Sequence, residues 1–310
     1  MTLDDPIDDL LDVLDLTREG STTIHVASPG GLGEDLSDSD GDVFLGRSQP
    51  QPHGRVFGGQ VLAQSVVAAG RTVAEIDDGD GQRHIHSLHG YFLRPGDADR
   101  PIHFLVERMR DGSSFSARRV HAVQDGRILL SMITSFQEAA GGLDHQTRMP
   151  HVTQPEELTS DADILAGIDH PAARHFARRR AVEIKHVEGP LYLDTGDAVA
   201  QQHVWFRVPR ELPADPLLHA AVLAYASDYS LLEPILRKHG ITWGDPRLRP
   251  ASLDHAMWFH RTPRTDDWIL YSQASPSAQN GRGLGHGLMF GRDGTLMASV
   301  AQEGMVRIKQ

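Results

Sequence analysis

The feature that most restricts the fold is an internal echo along the chain. Phe92-Leu93-Arg94 returns as Phe259-His260-Arg261, 167 residues on. Gln124-Asp125-Gly126-Arg127-Ile128-Leu129 returns as Arg292-Asp293-Gly294-Thr295-Leu296-Met297, 168 on, and Gln137-Glu138 as Gln302-Glu303, 165 on. Three anchors at nearly one spacing predict two copies of one unit. In the first copy, apolar Val61, Leu62, Val66 and Ala69 share a face of a helix expected over about 59–73. Alternating runs over 86–93, 102–109, 116–123 and 128–136 read as strands, with Asp111-Gly112 and Asp125-Gly126 as hairpin turns. In the second copy, runs over 181–187 and 203–208 lead into a largely apolar helix with Asp215 as N-cap and Pro216 in its first turn. More strand-like runs follow, turning at Asp293-Gly294. A helix buried under a curved antiparallel sheet satisfies this pattern twice, and joining the two sheets edge to edge hides an exposed strand from each.

The segments outside the repeat read differently. Leu10, Leu11 and Leu14 predict an opening helix that Gly20 caps. Residues 27–42 read as an acidic flexible loop; aligned as a calcium loop on Gly41, they put Leu36 first and Arg47 last, which fails. Glycines and prolines over 138–175 suggest a linker with a short helix. The expected division is 1–140, a linker at 141–176, and 177–310.

At 310 residues the chain has room for two domains, and 39% hydrophobic with 23% charged residues suits a folded protein. Its longest apolar stretches fall short of the roughly 18 residues of a membrane span. A net charge of −12 argues against nucleic acid as a partner. Arg178-Arg179-Arg180, the one basic cluster, reads as a solvated face. With no cysteine there is neither a disulfide nor a thiol nucleophile. The acidic N-terminus has no leader pattern and the C-terminus no peroxisomal tripeptide, so the expected location is cytoplasmic.

No G-x-S-x-G elbow, H-E-x-x-H helix or P-loop occurs. Glycines at 281, 283, 285 and 287 read as a strand pressed against another backbone rather than a dinucleotide turn. His84 and His86 share a strand face while His89 points away, a poor metal set. Judged locally, Asp228 is a helix-end aspartate, Ser252 a strand hydroxyl and Gln302 a surface amide.

Longer motifs carry more. Arg55-Val56-Phe57-Gly58-Gly59-Gln60, His89-Gly90-Tyr91-Phe92-Leu93-Arg94-Pro95-Gly96, the run from Arg110 to Arg119, Tyr225-Ala226-Ser227-Asp228, the run from Asp254 to Arg261, and Gln302-Glu303-Gly304 stand in an order that resembles the type II acyl-CoA thioesterase family. The likeness spans roughly residue 44 to the C-terminus. It implies an α+β double hot-dog: two repeats of a long helix wrapped by a curved antiparallel sheet. It also implies hydrolysis of acyl-CoA to free fatty acid and CoA, with no metal or cofactor. The implied catalytic trio is Asp228, Ser252 and Gln302, all in the second unit; the family usually has threonine where Ser252 stands. A symmetric homo-oligomer is the expected assembly.

A thioester is electrophilic enough for one oriented water to attack directly. Asp228 would be its general base, and Ser252 and Gln302 would orient the water through hydroxyl and amide. Burial near an apolar helix should raise the carboxylate's pKa. Backbone N–H groups around Gly58, Gly59 and Gln60, at the start of the first long helix, are candidate oxyanion donors, although the glycines read equally as a tight entry turn. His255 and His260 read as structural. Two other readings stay open: a hot-dog enoyl-CoA hydratase or dehydratase, for which no acid–base motif is evident, and a non-catalytic acyl-CoA-binding protein. Acyl chain length depends on side chains that close the channel, which sequence does not identify.

Overall fold

The structure, a computed structural model, describes residues 5–24, 39–76, 82–192 and 194–309. The first half runs α1 (Pro6–Leu14), β1 (Thr17–Ile24), β2 (Ser39–Gly46), α2 (Gly58–Ala74), β3 (Arg83–Phe92), β4 (Ile102–Asp111), β5 (Phe115–Gln124) and β6 (Arg127–Glu138). A 3-10 turn at Pro155–Glu157 leads to α3 (Asp161–Ala166) and α4 (Pro171–Arg179). The second half runs β7 (Glu183–His186), β8 (Gln201–Arg207), α5 (Pro216–Ser227), α6 (Glu233–Lys238), β9 (Leu248–Ser252), β10 (Asp254–Phe259), β11 (Ile269–Gln279), β12 (Arg282–Gly291) and β13 (Leu296–Ile308).

Among the described residues the strands form one 13-stranded antiparallel sheet. Its centre is the pair β3–β10, where Leu88 lies opposite Met257 and Gly90 opposite His255. Outward from that seam the first half runs β3, β6, β5, β4, β2, β1, and the second runs β10, β13, β12, β11, β8, β7. The sequence anchors therefore land in like places: Phe92 and Phe259 end the seam strands, and the two Asp-Gly turns join β5 to β6 and β12 to β13. Separated, each half would present a bare edge; the seam satisfies both rows of backbone groups.

Helix α2 is buried along nearly its whole length. It packs on β2 to β6 and on α5, so its polar Gln60, Gln64 and Ser65 must bond internally. They do: Gln60 Nε2 donates to Gln64 Oε1 (3.0 Å), Gln64 Nε2 to the Val13 carbonyl (2.9 Å), and Ser65 Oγ to the Val61 carbonyl (2.7 Å). Asp215 caps α5 by accepting from the Leu217 N–H at 2.9 Å, with Pro216 at the first position. The two long helices run antiparallel, because Gly70 late in α2 abuts Leu217 while Gly59 at its start abuts the Tyr225 carbonyl.

Several expectations need correcting. Gly20 does not cap α1, which ends at Leu14; it lies in β1 at a register shift, with φ +149°. The polar run Thr17–Ile24 lacks the apolar alternation that marks a strand, so β1 was illegible. Residues 39–42, assigned to the acidic loop, open β2; the rest of that loop, 27–38, lies outside the described residues. Asp111 ends β4 and Gly112 has no positive φ, so that hairpin turns over a longer loop. Asp125 and Gly126, at φ +50° and +69°, make the tight turn expected. The segment read as a linker with one short helix carries two.

Candidate active site

Asp228 caps the C-terminus of α5, and the N-terminus of α2 meets it head on. A Cβ on Gly58 would stand 2.6 Å from Asp228 Oδ2, and one on Gly59 would stand 2.4 Å from the Tyr225 carbonyl. The glycines are what let the two helix ends approach. The Gly59 N–H donates to the carboxylate.

Ser252 and Gln302 reach the same carboxylate from the sheet. Ser252 ends β9 and pairs with Gly304 in β13, two residues beyond Gln302. Gln302 Nε2 donates to Asp228 Oδ1 at 2.9 Å and to Ser252 Oγ at 2.6 Å; Ser252 Oγ lies 3.4 Å from Asp228 Oδ1. The three side chains, drawn from points 74 residues apart, thus form one hydrogen-bonded cluster. Burial pushes the Asp228 carboxyl up to about 6, against the opposing pull of its bonds from Gln302, Gly59 and Ser252. That value makes it a competent base near neutral pH.

Asp228 and Ser252 line a cavity of about 1140 Å³ whose wall comes from both halves and from α4. Phe57, Phe92 and Leu93 belong to the first half, Tyr225 and Tyr229 to the second, and Phe176 and Arg180 lie at α4 and its end. Phe57 stacks on Tyr229 at 4.7 Å between centroids and meets Tyr225 edge-on at 5.2 Å. A smaller hollow of about 630 Å³, lined by Trp258, His286 and Ser299, contains none of the trio.

Gln60 takes no part in this cavity. Its N–H bonds the Phe57 carbonyl at 3.1 Å, and its side chain accepts from the Gln49 N–H at 2.9 Å. Arg180 is no solvated cation either. Its guanidinium bonds Tyr192 Oη at 2.7 Å and lies over the rings of Phe176, Tyr192 and Tyr229. Sequence reasoning missed the α4 wall, because a residue's place on a cavity is set by a helix whose packing partner is remote in the chain. His255, read as structural, is fully buried and bonds Gln302 Oε1 at 2.6 Å.

The fold and the cavity define a hot-dog protein. A protein from Alicyclobacillus acidocaldarius described as having a hot dog fold superposes with a TM-score of 0.71 at 15% identity, over 97% of this chain and 99% of that one. The family is narrower. The acyl-CoA thioesterase model matches residues 160–305 and the model for the acyl-CoA thioesterase N-terminal domain matches 47–137. Human acyl-coenzyme A thioesterase 8 is 39% identical, over 88% of this chain and 87% of its own length. A crystal structure of an acyl-CoA thioesterase II from Mycobacterium marinum superposes with a TM-score of 0.70 at 38% identity, over 97% of this chain and 98% of that one. The chain belongs to the type II acyl-CoA thioesterase family.

Proposed function

We propose that the protein hydrolyses acyl-CoA to free acid and CoA, with Asp228 as general base to a water that Ser252 and Gln302 help hold. The observation that carries this reading is the convergence of Gln302 and Ser252 on one oxygen of a carboxylate whose pKa is raised to about 6. With Oδ1 so engaged, Oδ2 is the oxygen nearer Gly58 and takes the water's proton as the new C–O bond forms. The resulting oxyanion accepts from the N–H of Gly58, first residue of α2 and so without an intrahelical acceptor. Collapse expels the thiolate, which recovers the proton from Asp228. Gly59 serves by bonding the carboxylate rather than the oxyanion, and Gln60 by holding the helix start.

The architecture we assign is two hot-dog units, 1–140 and 177–310, each sheet curved round its long helix, with 141–176 between them. The mirrored strand order on either side of the seam supports it. The cavity between the units is the place for the acyl thioester. The test is CoA release from acyl-CoA, followed by thiol detection across chain lengths. Asp228→Asn should lose about 10² to 10⁴ in kcat while still binding acyl-CoA. Undiminished turnover by that variant overturns the mechanism, and absence of thiol release at every chain length overturns the activity.

A further inference from the structure

We infer that His255, acting with Ser227, is a positioning residue that sets which way the Gln302 amide faces. This rests on the reading of Asp228, Ser252 and Gln302 given above. A carboxamide presents an oxygen on one side and an NH₂ on the other, and the two fill nearly the same space. If Gln302 turned over, its oxygen would face the Asp228 carboxylate at hydrogen-bond distance, acceptor against acceptor. Something must hold the amide with its nitrogen toward Asp228 and Ser252.

The groups behind Gln302 do this through a chain of single protons. His255 is wholly buried, and burial lowers its pKa to about 4, so the ring is neutral and carries one N–H. Nδ1 lies 2.6 Å from Gln302 Oε1, and Nε2 lies 2.9 Å from Ser227 Oγ. The Gln302 oxygen can only accept, so the ring proton sits on Nδ1. Nε2 then accepts from the Ser227 hydroxyl. That hydroxyl also lies 2.7 Å from the Ala224 carbonyl, to which it would donate if the ring took the other tautomer. The order is Ser227 to His255 to Gln302 to Asp228 and Ser252, each group donating to the next. Ser227 stands next to Asp228 at the end of α5, so the same helix end supplies the base and the anchor of the relay. Among the described residues, two ionisable groups face Asp228 besides this relay: Tyr229, next in the chain, and Tyr271 from β11. Burial raises both pKa values and keeps them uncharged.

The experiment compares His255→Leu, His255→Asn and Ser227→Ala with the parent enzyme in thiol release against pH. His255→Leu removes the donor to Gln302. It should lower kcat about 10- to 100-fold, the scale of a misplaced catalytic group, with KM little changed. A turned amide would also destabilise the Asp228 carboxylate, so the acid limb should move to higher pH. His255→Asn returns an N–H near the position of Nδ1 and should recover most of the loss and the parent acid limb. Ser227→Ala leaves Nε2 without its hydrogen-bond partner, loosens the ring behind Gln302, and should shift the acid limb in the same direction, more weakly. It also stands in should the leucine variant fail to fold. A folded His255→Leu with parent kcat and acid limb overturns the proposal. So does a loss that asparagine fails to repair with the limb unmoved, which marks a packing role only. If neither histidine variant folds, an unchanged limb in Ser227→Ala overturns it. Asp228→Asn run in parallel separates the two levels: an active Asp228→Asn sinks the reading of the site, whereas an inactive one beside a normal His255→Leu sinks only the relay.

Discussion

As the base proposed here, Asp228 combines two demands that oppose each other. A base must be ionised to work, yet burial at the end of an apolar helix disfavours the charge, and the C-terminal end of the α5 dipole adds to the penalty. Because the folded-state pKa lies above the unfolded value of 3.8, ionisation costs stability. The cost is absent below pH 3.8, grows between there and about 6, and is full above that. Asp228→Asn should therefore raise thermal stability at pH 7 to 8, by on the order of 3 kcal/mol, with the gain vanishing toward pH 4 in melting experiments. The same ionisation predicts that kcat/KM of the parent falls about tenfold per unit below pH 6. At Ser252 the hydroxyl is what matters: threonine should keep most activity, whereas alanine removes a bond partner of Gln302 and should lower kcat by about tenfold or more in the thiol-release assay. Equal rates for alanine and threonine would dismiss the hydroxyl.

At the level of elements, the contact between α2 and α5 and a buried ion cluster at α3 set how the molecule responds to mutation and pH. Gly58 belongs to α2, yet its missing side chain makes room for a carboxylate at the end of α5. Gly58→Ala should cut kcat about tenfold or more without unfolding the protein, because the added carbon meets Asp228 Oδ2 first and the edge of the half-buried Phe92 ring on the cavity wall next. A separate cluster fastens α3 to the second half. His186 of β7 bonds Asp161 of α3 at 3.0 Å and Glu233 of α6 at 2.8 Å. Burial works against its charge, but the two carboxylates prevail and raise its pKa to about 10. The stabilisation is therefore full below 6.5 and is lost as pH rises through 10. Melting temperature should fall across that window in the parent. His186→Gln should melt lower at neutral pH, since breaking a buried pair typically costs about 3–5 kcal/mol, and should show a flatter decline.

Across the whole molecule, the cavity belongs to neither half. Asp228 at the end of α5 and Ser252 of β9 line it, with Gly58 of α2 and part of the wall from α4, while Gln302 of β13 bonds the first two from behind. The strand runs after α2 were legible because alternation on a half-buried sheet leaves a two-residue period. Asp215-Pro216 and Asp125-Gly126 were legible because caps and tight turns are written in adjacent residues. Short α6 and β9 were not, since Glu233–Lys238 and Leu248–Ser252 hold too few residues for a period to show. The trio's residue types came from likeness to a family; their hydrogen bonds came from the register that sets Ser252 against Gly304.

By itself, then, the sequence determined what is written in short runs of residues: the apolar helix faces, the tight turns and the motifs that mark the family. Only the tertiary structure decided that Gly58 touches Asp228, that Arg180 is caged by aromatic rings, and that a neutral His255 stands behind Gln302. Those contacts join residues up to 170 positions apart. Desolvation and hydrogen-bond direction act across such gaps only once the chain has closed them.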